Sequence, residues 1–309
     1  MSDHPSSLIA FQRRFPDDDA CARYLAELRW PEGFVCPACG QRPAWQLRTK
    51  PWTYECRGCR RQTSLKAGGV MHGSKLSLTL WFWAAYLMAT HSNGISALQL
   101  QRQLGLGSYK TAWLLCAKLR AAMVDPQRNP LTGLVEVDET TIHYRHRQAA
   151  AAGGFGRSPK GKLLIAGACE IKGKGPGRLR LAHVADASAA SLQGFIAAAL
   201  APDSTARTDG WQGYASLPNI IAHQPEVVGT RKAHEVLPWI HRLFSNFKTW
   251  ALGVYHGLRD KHLQAYLDEF VFRFNRRRAR PAAFRSLLLF ATRRQPITYN
   301  MLIQPELTG

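Results

Sequence analysis

The sequence contains no apolar segment long enough to cross a lipid bilayer. Its longest apolar run, residues 78–89, is too short for a membrane helix and is interrupted by Thr79. The N-terminus lacks the basic and then apolar pattern of a secretory signal. Acidic residues are scarce, since 21 Asp and Glu stand against 41 Lys and Arg and the net charge is +20. We therefore expect a cytoplasmic protein with no membrane partner, and a polyanion, nucleic acid before anionic lipid, as its ligand.

Cysteine is also uncommon, but four of the seven cysteines form a pattern. They occur as two Cys-x-x-Cys pairs with sixteen residues between them: Cys36, Cys39, Cys56 and Cys59. This spacing predicts four thiolates around one structural Zn²⁺, with Gly40 and Gly58 providing turn freedom. Two disulfides are the alternative, which we disfavour because the three other cysteines are scattered and odd in number. A zinc site of this kind fits a reducing compartment.

Alternating residues between the two cysteine pairs predict the hairpin of a zinc ribbon. The two short strands are residues 44–47 and 52–55, joined by a turn at Lys50 and Pro51. An aromatic-rich helix is expected next, over residues 75–90. Its clustered rings fit a buried core better than the alternative, a platform for stacking bases.

Two helical patterns around a glycine-bearing turn, residues 96–105 and 109–123, predict a helix-turn-helix-like pair. We expect Tyr109, Lys110, Lys118 and Arg120 of the second helix to be available for DNA. An ordinary helical hairpin fits the same pattern. The proline-bearing segment 125–130 then marks a domain boundary.

From residue 131 the period of the apolar residues changes to two. Strands are expected at residues 134–138, 163–171, 179–184 and 204–208, with a helix at 188–200 before the last strand. This order predicts an α/β domain in which helices flank a mixed sheet. A basic, glycine-rich loop follows the first strand and is expected either to clamp a DNA strand or to remain disordered: Arg145, Arg147, Arg157, Lys160 and Lys162.

Acidic residues end two of these strands. Asp138 shares a face with Glu136 by alternation, and Asp209 is followed by Gly210, which permits a sharp exit from the strand. Such acids can converge as oxygen ligands for Mg²⁺. From composition and spacing alone, however, aspartates at strand ends more often cap helices or lie in solvent.

Several segments together resemble the insertion-sequence transposases of the ISXO type. They are residues 135–140 (Val-Glu-Val-Asp-Glu-Thr), 208–214 (Thr-Asp-Gly-Trp-Gln-Gly-Tyr), 240–248, 253–257 and 266–277. The resemblance implies a zinc ribbon ahead of a ribonuclease-H-like DDE catalytic domain. It also implies a transposase that binds terminal repeats and target DNA, as a homodimer or higher oligomer, associated with the nucleoid. It makes Asp138 and Asp209 the first two catalytic acids.

The third catalytic residue of the DDE pattern is not the usual one in this sequence. A Glu is expected seven residues before a basic residue on one helix, but His241 stands seven residues before Lys248. Glu235 precedes Arg242 by seven, yet Pro238 between them fits the first turn of a helix, which places Glu235 outside it. We therefore take Asp138, Asp209 and His241 as ligands of two Mg²⁺ or Mn²⁺ ions and Lys248 as a phosphate contact. Glu136 and Glu139 are interpreted as bystanders or supporting groups.

A dense run of basic residues near residue 275 predicts a further DNA contact: Arg273, Arg276, Arg277 and Arg278. The expected domains are residues 1–72 (an N-terminal helix and the zinc ribbon), 73–128 (helix-turn-helix-like) and 131–309 (catalytic, with basic C-terminal helices). The His at the third position leaves an alternative function, an inactive DNA-binding repressor. A structure-specific nuclease would use the same metals without strand transfer.

Overall fold

The computed structural model describes residues 5–303, apart from residues 126, 144–161, 216, 218–220, 228 and 230–231. The expected clamp loop therefore lies outside the described residues, except for Lys162. The strands are β1 (Ala44–Gln46), β2 (Thr53–Cys56), β3 (Gln62–Ser64), β4 (Leu134–His143), β5 (Lys162–Lys172), β6 (Gly175–Val184), β7 (Thr205–Thr208) and β8 (Ala222–Pro225). The helices are α1 (Leu8–Arg14), α2 (Asp18–Arg29), α3 (Leu78–Thr90), α4 (Ala97–Gln103), α5 (Tyr109–Ala121), α6 (Ala189–Ala199), α7 (Ala233–Val236), α8 (Pro238–Tyr255), α9 (Leu263–Asn275), α10 (Arg280–Arg293) and α11 (Tyr299–Ile303).

The chain divides into two compact units. The first comprises the described residues up to Asp125 together with those from Ala279 onward, and the second runs from residue 127 to Arg278. Helix α10, which we expected in the catalytic domain, packs on α2 and α3 in the first unit. The ribbon and the helices that follow it were expected as separate domains, yet they lie in one unit.

An aromatic cluster forms the core of the first unit. The ring of Phe284, on α10, lies 5.6 Å from that of Phe11 and 5.8 Å from that of Phe82, centroid to centroid. Trp81 and Phe82 are buried, so the aromatic residues of α3 form core and not a base-stacking platform, as predicted. The helix begins at Leu78, later than expected, because Ser77 caps it by accepting a hydrogen bond from the N–H of Leu80.

The predicted pair of helices is present as α4 and α5, capped by Ser96 and Ser108. Gly105 turns the chain between them with φ +61°, a conformation that favours glycine. The expectation that Lys118 and Arg120 are exposed on α5 is wrong, because both side chains are buried. Burial lowers the pKa of Lys118, whose Nζ lies 3.5 Å from the carbonyl oxygen of His72.

The second unit contains a mixed sheet of five described strands in the order β6-β5-β4-β7-β8. The first three are antiparallel, and β4, β7 and β8 run parallel to one another. Strand β4 continues to His143, five residues past the expected end, and the β5–β6 turn is only residues 173–174. The α/β fold of mixed sheet and flanking helices is confirmed, and it is consistent with a ribonuclease-H-like domain.

Helices cover both faces of this sheet. Val135 and Val137 of β4 pack with the apolar side of α6, whereas Ile165 of β5 packs beneath α8 and α9. Because side chains alternate along a strand, the even-numbered residues of β4 from 136 to 140 point to the α8 side. In the part of the chain that the structure describes, no helix has the length and apolarity needed to span a membrane.

Candidate active site and zinc centre

Strand β4 and helix α8 contact each other through three successive residues on one face of the strand. Glu136 accepts hydrogen bonds from the first turn of α8, Asp138 lies against His241, and Thr140 accepts a hydrogen bond from Lys248 at 2.7 Å. His241 and Lys248 are seven residues apart, close to two helical turns, so both face the strand as predicted. The strand and the helix therefore build one site together.

Asp138 and His241 are in direct contact. His241 Nε2 lies 3.0 Å from Asp138 Oδ2, and the two side chains are 29% and 8% exposed. This carboxylate raises the pKa of His241, although burial of the imidazole opposes the rise. Asp138 uses its other oxygen to accept a hydrogen bond from the N–H of Glu139. The imidazole and one carboxylate oxygen thus face each other inside the protein.

The donors at this contact suit a divalent cation. Nε2 of His241 is buried and makes no hydrogen bond of good geometry within the described chain. Two neighbouring ligands of one octahedral ion, each about 2.1 Å from it, are separated by about 3 Å, which is the separation found here. A nitrogen beside an oxygen is a donor set that Mn²⁺ accepts more readily than Mg²⁺. The pair fits a metal site.

Asp209 follows β7, the parallel neighbour of β4. The register pairs Glu136 with Arg207, so two residues further along both strands lie Asp138 and Asp209. Asp209 is half-buried and accepts a hydrogen bond from the N–H of Trp211 at 3.0 Å. Its negative charge contributes to the raised pKa of His241, so it acts electrostatically on the same site.

The three predicted metal ligands do not all converge on one point. Among the described residues, the four cysteines are the group of three or more ligands whose atoms lie within 4.8 Å of one another. Asp138 and His241 are in contact, and Asp209 lies farther from this pair than they lie from each other. A two-metal site permits this, because only the shared ligand must reach both ions, which lie about 3.5–4 Å apart.

Glu136 has a structural role that the sequence did not reveal. Its carboxylate is buried and accepts hydrogen bonds from the N–H groups of Trp239 and Ile240, at 2.8 and 2.9 Å. Helix α8 has Pro238 in its first turn, as predicted, and no side-chain cap of its own. Glu136 therefore supplies that cap from the strand, where the positive end of the helix favours a carboxylate. Burial raises the pKa of Glu136, and the two hydrogen bonds oppose the rise.

Glu139 and Tyr214 connect β4 to the chain that follows Asp209. The hydroxyl of the buried Tyr214 donates to Glu139 Oε2 at 2.5 Å. Burial raises the pKa of Glu139, and the charges of Asp138 and Asp209 raise it further, whereas the hydroxyl lowers it. The sequence showed Tyr214 only as part of the family motif, because no local pattern pairs it with a residue 75 positions earlier.

A glycine of β5 allows α8 to approach the site. Gly167 is paired with Asp138 in the sheet, and a Cβ at this position would lie 2.6 Å from the ring of Phe244 and 2.9 Å from Ile240. Any larger residue would push α8 away from the sheet, since these contacts are far below van der Waals distance. Gly167 thereby fixes how close His241 comes to Asp138.

The zinc centre lies in the first unit, at the two predicted knuckles. The sulfurs of Cys36, Cys39, Cys56 and Cys59 lie within 4.8 Å of one another, and all four cysteines are free thiols. The closest pairs are 3.5 Å apart, far beyond the length of a disulfide and close to the spacing of ligands around one tetrahedral zinc. The N–H groups of Ala38 and Cys39 lower the pKa of Cys36 to about 6. These residues form a zinc-binding site, and the disulfide alternative is wrong.

The two knuckles turn in the same way but with different residues. The N–H of Gly40 donates to the carbonyl of Cys36, and the N–H of Arg60 donates to that of Cys56. Both residues have left-handed backbones, φ +73° and +62°. The expectation for Gly58 is corrected, since its φ is not positive. A side chain there would instead collide with Gln41.

The predicted arginine run divides between structural and exposed positions. Arg273 lies 3.5 Å from the buried Glu269, and Arg277 donates to the carbonyl oxygens of Pro176 and Gly177. Arg276 is half-buried over the ring of Phe272, and Arg278 is exposed. On α5, Tyr109 and Lys110 are exposed as expected.

Comparisons with known proteins agree with this architecture. Residues 130–275 match the family described as the ISXO2-like transposase domain, and residues 16–62 match the transposase zinc-ribbon domain. A curated relative is 25% identical over 280 residues, which is 84% of this chain and 92% of that protein. It is an uncharacterised protein in transposable element ISH50 of Halobacterium salinarum. No solved structure gives a significant match. This chain therefore carries an ISXO2-like transposase domain over residues 130–275, preceded by a transposase zinc-ribbon domain over residues 16–62.

Proposed function

We propose that this protein binds the ends of its insertion sequence and catalyses DNA strand cleavage and strand transfer at the site between β4 and α8. The observation that supports the proposal is the contact of His241 with Asp138, beside Asp209, in a domain of a transposase family. The buried imidazole nitrogen and the two carboxylates supply the nitrogen and oxygen donors that this chemistry requires.

Asp138, Asp209 and His241 would hold the catalytic Mg²⁺ or Mn²⁺. Asp138 would be shared by two ions, Asp209 would bind one, and His241 would complete the other site. When bound, two such ions activate the attacking oxygen and stabilise the leaving oxygen of an in-line displacement. Glu136 keeps His241 in place by capping α8, and Tyr214 supports the segment after Asp209 through Glu139. Neither residue is proposed as a metal ligand.

Two phosphoryl transfers would occur in sequence. In cleavage, the oxygen of water bonds to phosphorus and the bond to the 3′ oxygen breaks, leaving a 3′-hydroxyl at the end of the element. In transfer, that hydroxyl bonds to a target phosphorus, and a target 3′ oxygen leaves with the proton. One phosphodiester replaces another, so no nucleotide cofactor is needed. Lys248, whose Nζ lies at the base of the site, would contact a phosphate of the bound end.

DNA would be held mainly by exposed residues outside this site. Tyr109 and Lys110 of α5 would contact the element ends, and Arg276 and Arg278 would bind phosphates in a sequence-independent way. Lys118, expected from the sequence, is left out because it is buried. We propose that a homodimer or higher oligomer assembles on DNA at the nucleoid.

The deciding experiment follows the two products separately. Wild-type protein is mixed with intact and pre-nicked duplexes from the element end, in Mg²⁺ or Mn²⁺, and 3′-hydroxyl ends and joined strands are quantified. Cleavage and joining support the transposase. Cleavage without joining on any substrate indicates a structure-specific nuclease. Binding without cleavage in either metal indicates the inactive repressor.

A further inference from the structure

The exposed face of the zinc ribbon carries an aromatic residue between two arginines. Trp45 of β1 is 42% exposed. The guanidinium carbon of Arg57 lies 4.9 Å from the centre of its ring, and that of Arg60 lies 5.0 Å away. Both arginines come from the second knuckle, so the turn and the strand together build this surface.

The ribbon is strongly cationic around this surface. Residues 34–64 contain one acid, Glu55, and six basic residues, all six exposed: Arg42, Arg48, Lys50, Arg57, Arg60 and Arg61. A zinc ion with four thiolates adds two negative charges, so the module keeps a net charge of about +3. The positive charge of the basic residues therefore exceeds the negative charge of Glu55 and the zinc centre. The excess positive charge favours binding of an external polyanion.

The backbone at Arg60 is a second, independent observation. Arg60 occupies in the second knuckle the position that Gly40 occupies in the first, with the same hydrogen bond and a left-handed backbone. Glycine adopts this conformation without strain, whereas a residue with a Cβ does not. A strained non-glycine residue at such a position points to a role for its side chain beyond the turn. Here the side chain reaches Trp45 and Glu55.

We infer that Trp45, Arg57 and Arg60 form a phosphate-binding surface for duplex DNA on the zinc ribbon. The inference rests on the proposed function and names the residues by which the ribbon holds the element end. Stacking on the indole restricts each guanidinium, and a restricted guanidinium suits two-pronged contact with phosphate oxygens. Trp45 thus positions the two arginines, and the knuckle positions both relative to the zinc.

The strain at Arg60 provides a test that separates binding from folding. Arg60→Gly removes the side chain but relieves the backbone, so the variant should keep its zinc and melt at the same or a higher temperature. Its affinity for a fluorescein-labelled duplex should fall about fivefold at 0.15 M salt, and the salt slope should fall by about 0.9, as expected for one phosphate contact. Trp45→Ala should also weaken binding although it removes no charge.

Arg42→Ala is the matched control. Arg42→Ala removes the same charge from the same module. The guanidinium of Arg42 donates to both the carboxylate and the carbonyl oxygen of Glu32, at 2.8 and 3.0 Å, whereas that of Arg60 stacks on Trp45 and has a longer contact with Glu55, at 3.4 Å. We expect its affinity to change less than twofold. Wild-type affinity in Arg60→Gly, or an equal loss in Arg42→Ala, would overturn the inference. If Arg60→Gly and Trp45→Ala bind the duplex normally while wild-type protein cleaves DNA, only this inference fails. If wild-type protein binds no duplex, the proposed function fails.

Discussion

His241 on α8 places its Nε2 3.0 Å from Oδ2 of Asp138 on β4. The contact joins two elements separated by about a hundred residues, and three features of the fold hold it. Glu136 caps α8 from the same strand, Gly167 lets the helix approach the sheet, and Lys248 donates to Thr140 further along. His241, which we propose at the third position of the DDE pattern, is thus in direct contact with Asp138, which we propose as the first acid.

Substitution of His241 tests its role as a ligand. His241→Ala should reduce cleavage strongly, and wild-type protein should be more active in Mn²⁺ than in Mg²⁺, because imidazole is a poorer ligand for the harder ion. His241→Glu restores an oxygen ligand and should shift the preference toward Mg²⁺. The measurement is the rate of cleavage of pre-nicked ends in each metal. Full activity of His241→Ala would remove this residue from the site.

The approach of α8 to the sheet can be tested at Gly167. Gly167→Ala should displace the helix, since the added Cβ would lie 2.6 Å from the ring of Phe244. Overpacking of this kind costs about 1–3 kcal/mol, and cleavage should fall because His241 moves from Asp138. Gly194→Ala is the control, because nothing lies within 4 Å of a Cβ there. Equal stability and cleavage in the two variants would contradict the close approach.

The zinc site is predicted to be structural. Cys56→Ser should release the ion and unfold residues near 34–62, because the ribbon has only a small apolar core around Phe34, Trp30 and Tyr54. The sheet of the second unit should remain folded. Zinc content by atomic absorption and hydrogen exchange of both segments measure this. Retention of one zinc per chain by the variant would show that Cys56 is not a ligand.

The sequence predicted the elements that local chemistry specifies. The serines before α4 and α5 cap those helices, the Cys-x-x-Cys pairs form one sulfur cluster, and alternation in β4 separates Val135 from Asp138. Contacts between distant segments were not predictable in this way. Neither the capping of α8 by Glu136 nor the bond from Tyr214 to Glu139 has a local signal.

The same reason explains why the surroundings of two predicted DNA-binding residues and of α10 were not predictable. Lys118 has the spacing of a residue on an exposed helix face, yet other elements of the first unit cover it. Arg277 belongs to a run of arginines, but it binds carbonyl oxygens at the start of β6. Helix α10 follows the catalytic domain in sequence and packs elsewhere through Phe284. Burial by a distant segment cannot be predicted from a local sequence pattern.

Arg276 and Arg278, which follow α9, should contribute affinity and no sequence preference. Replacing Arg276 and Arg278 by Ala should weaken binding to all duplexes alike and lower the salt slope by about 1–2. Arg277 is excluded from the test because its loss would leave carbonyl groups of β6 unsatisfied. Titrations of specific and scrambled duplexes over a range of salt measure the effect. A loss confined to the specific duplex would reverse the assignment.

A buried ion pair should make the second unit sensitive to acid. Burial raises the pKa of Glu170, but hydrogen bonds from Arg178 and from the N–H of Thr132 outweigh it and lower the pKa to about 2. The stability supplied by this carboxylate is complete above its ordinary pKa of 4.5 and is lost as the pH falls toward 2. Glu170→Gln should destabilise the unit by about 3 kcal/mol at neutral pH.

Urea unfolding followed by hydrogen exchange of peptides from residues 162–184 measures this effect. Glu226→Gln is the control, because the pair of Glu226 with Arg207 is partly exposed and should contribute about 1 kcal/mol or less. Equal stability of the two variants at neutral pH would contradict the assignment of Glu170.

The central claim is that Asp138 and Asp209 hold the catalytic metals. Asp138→Asn and Asp209→Asn keep the size of each side chain and remove the charge that binds the ion. The most direct measurement is cleavage and joining of element ends by both variants in Mg²⁺ and in Mn²⁺, with end binding measured on the same samples. We expect normal binding with no cleaved or joined product. Product formation by either variant at the wild-type rate would contradict it.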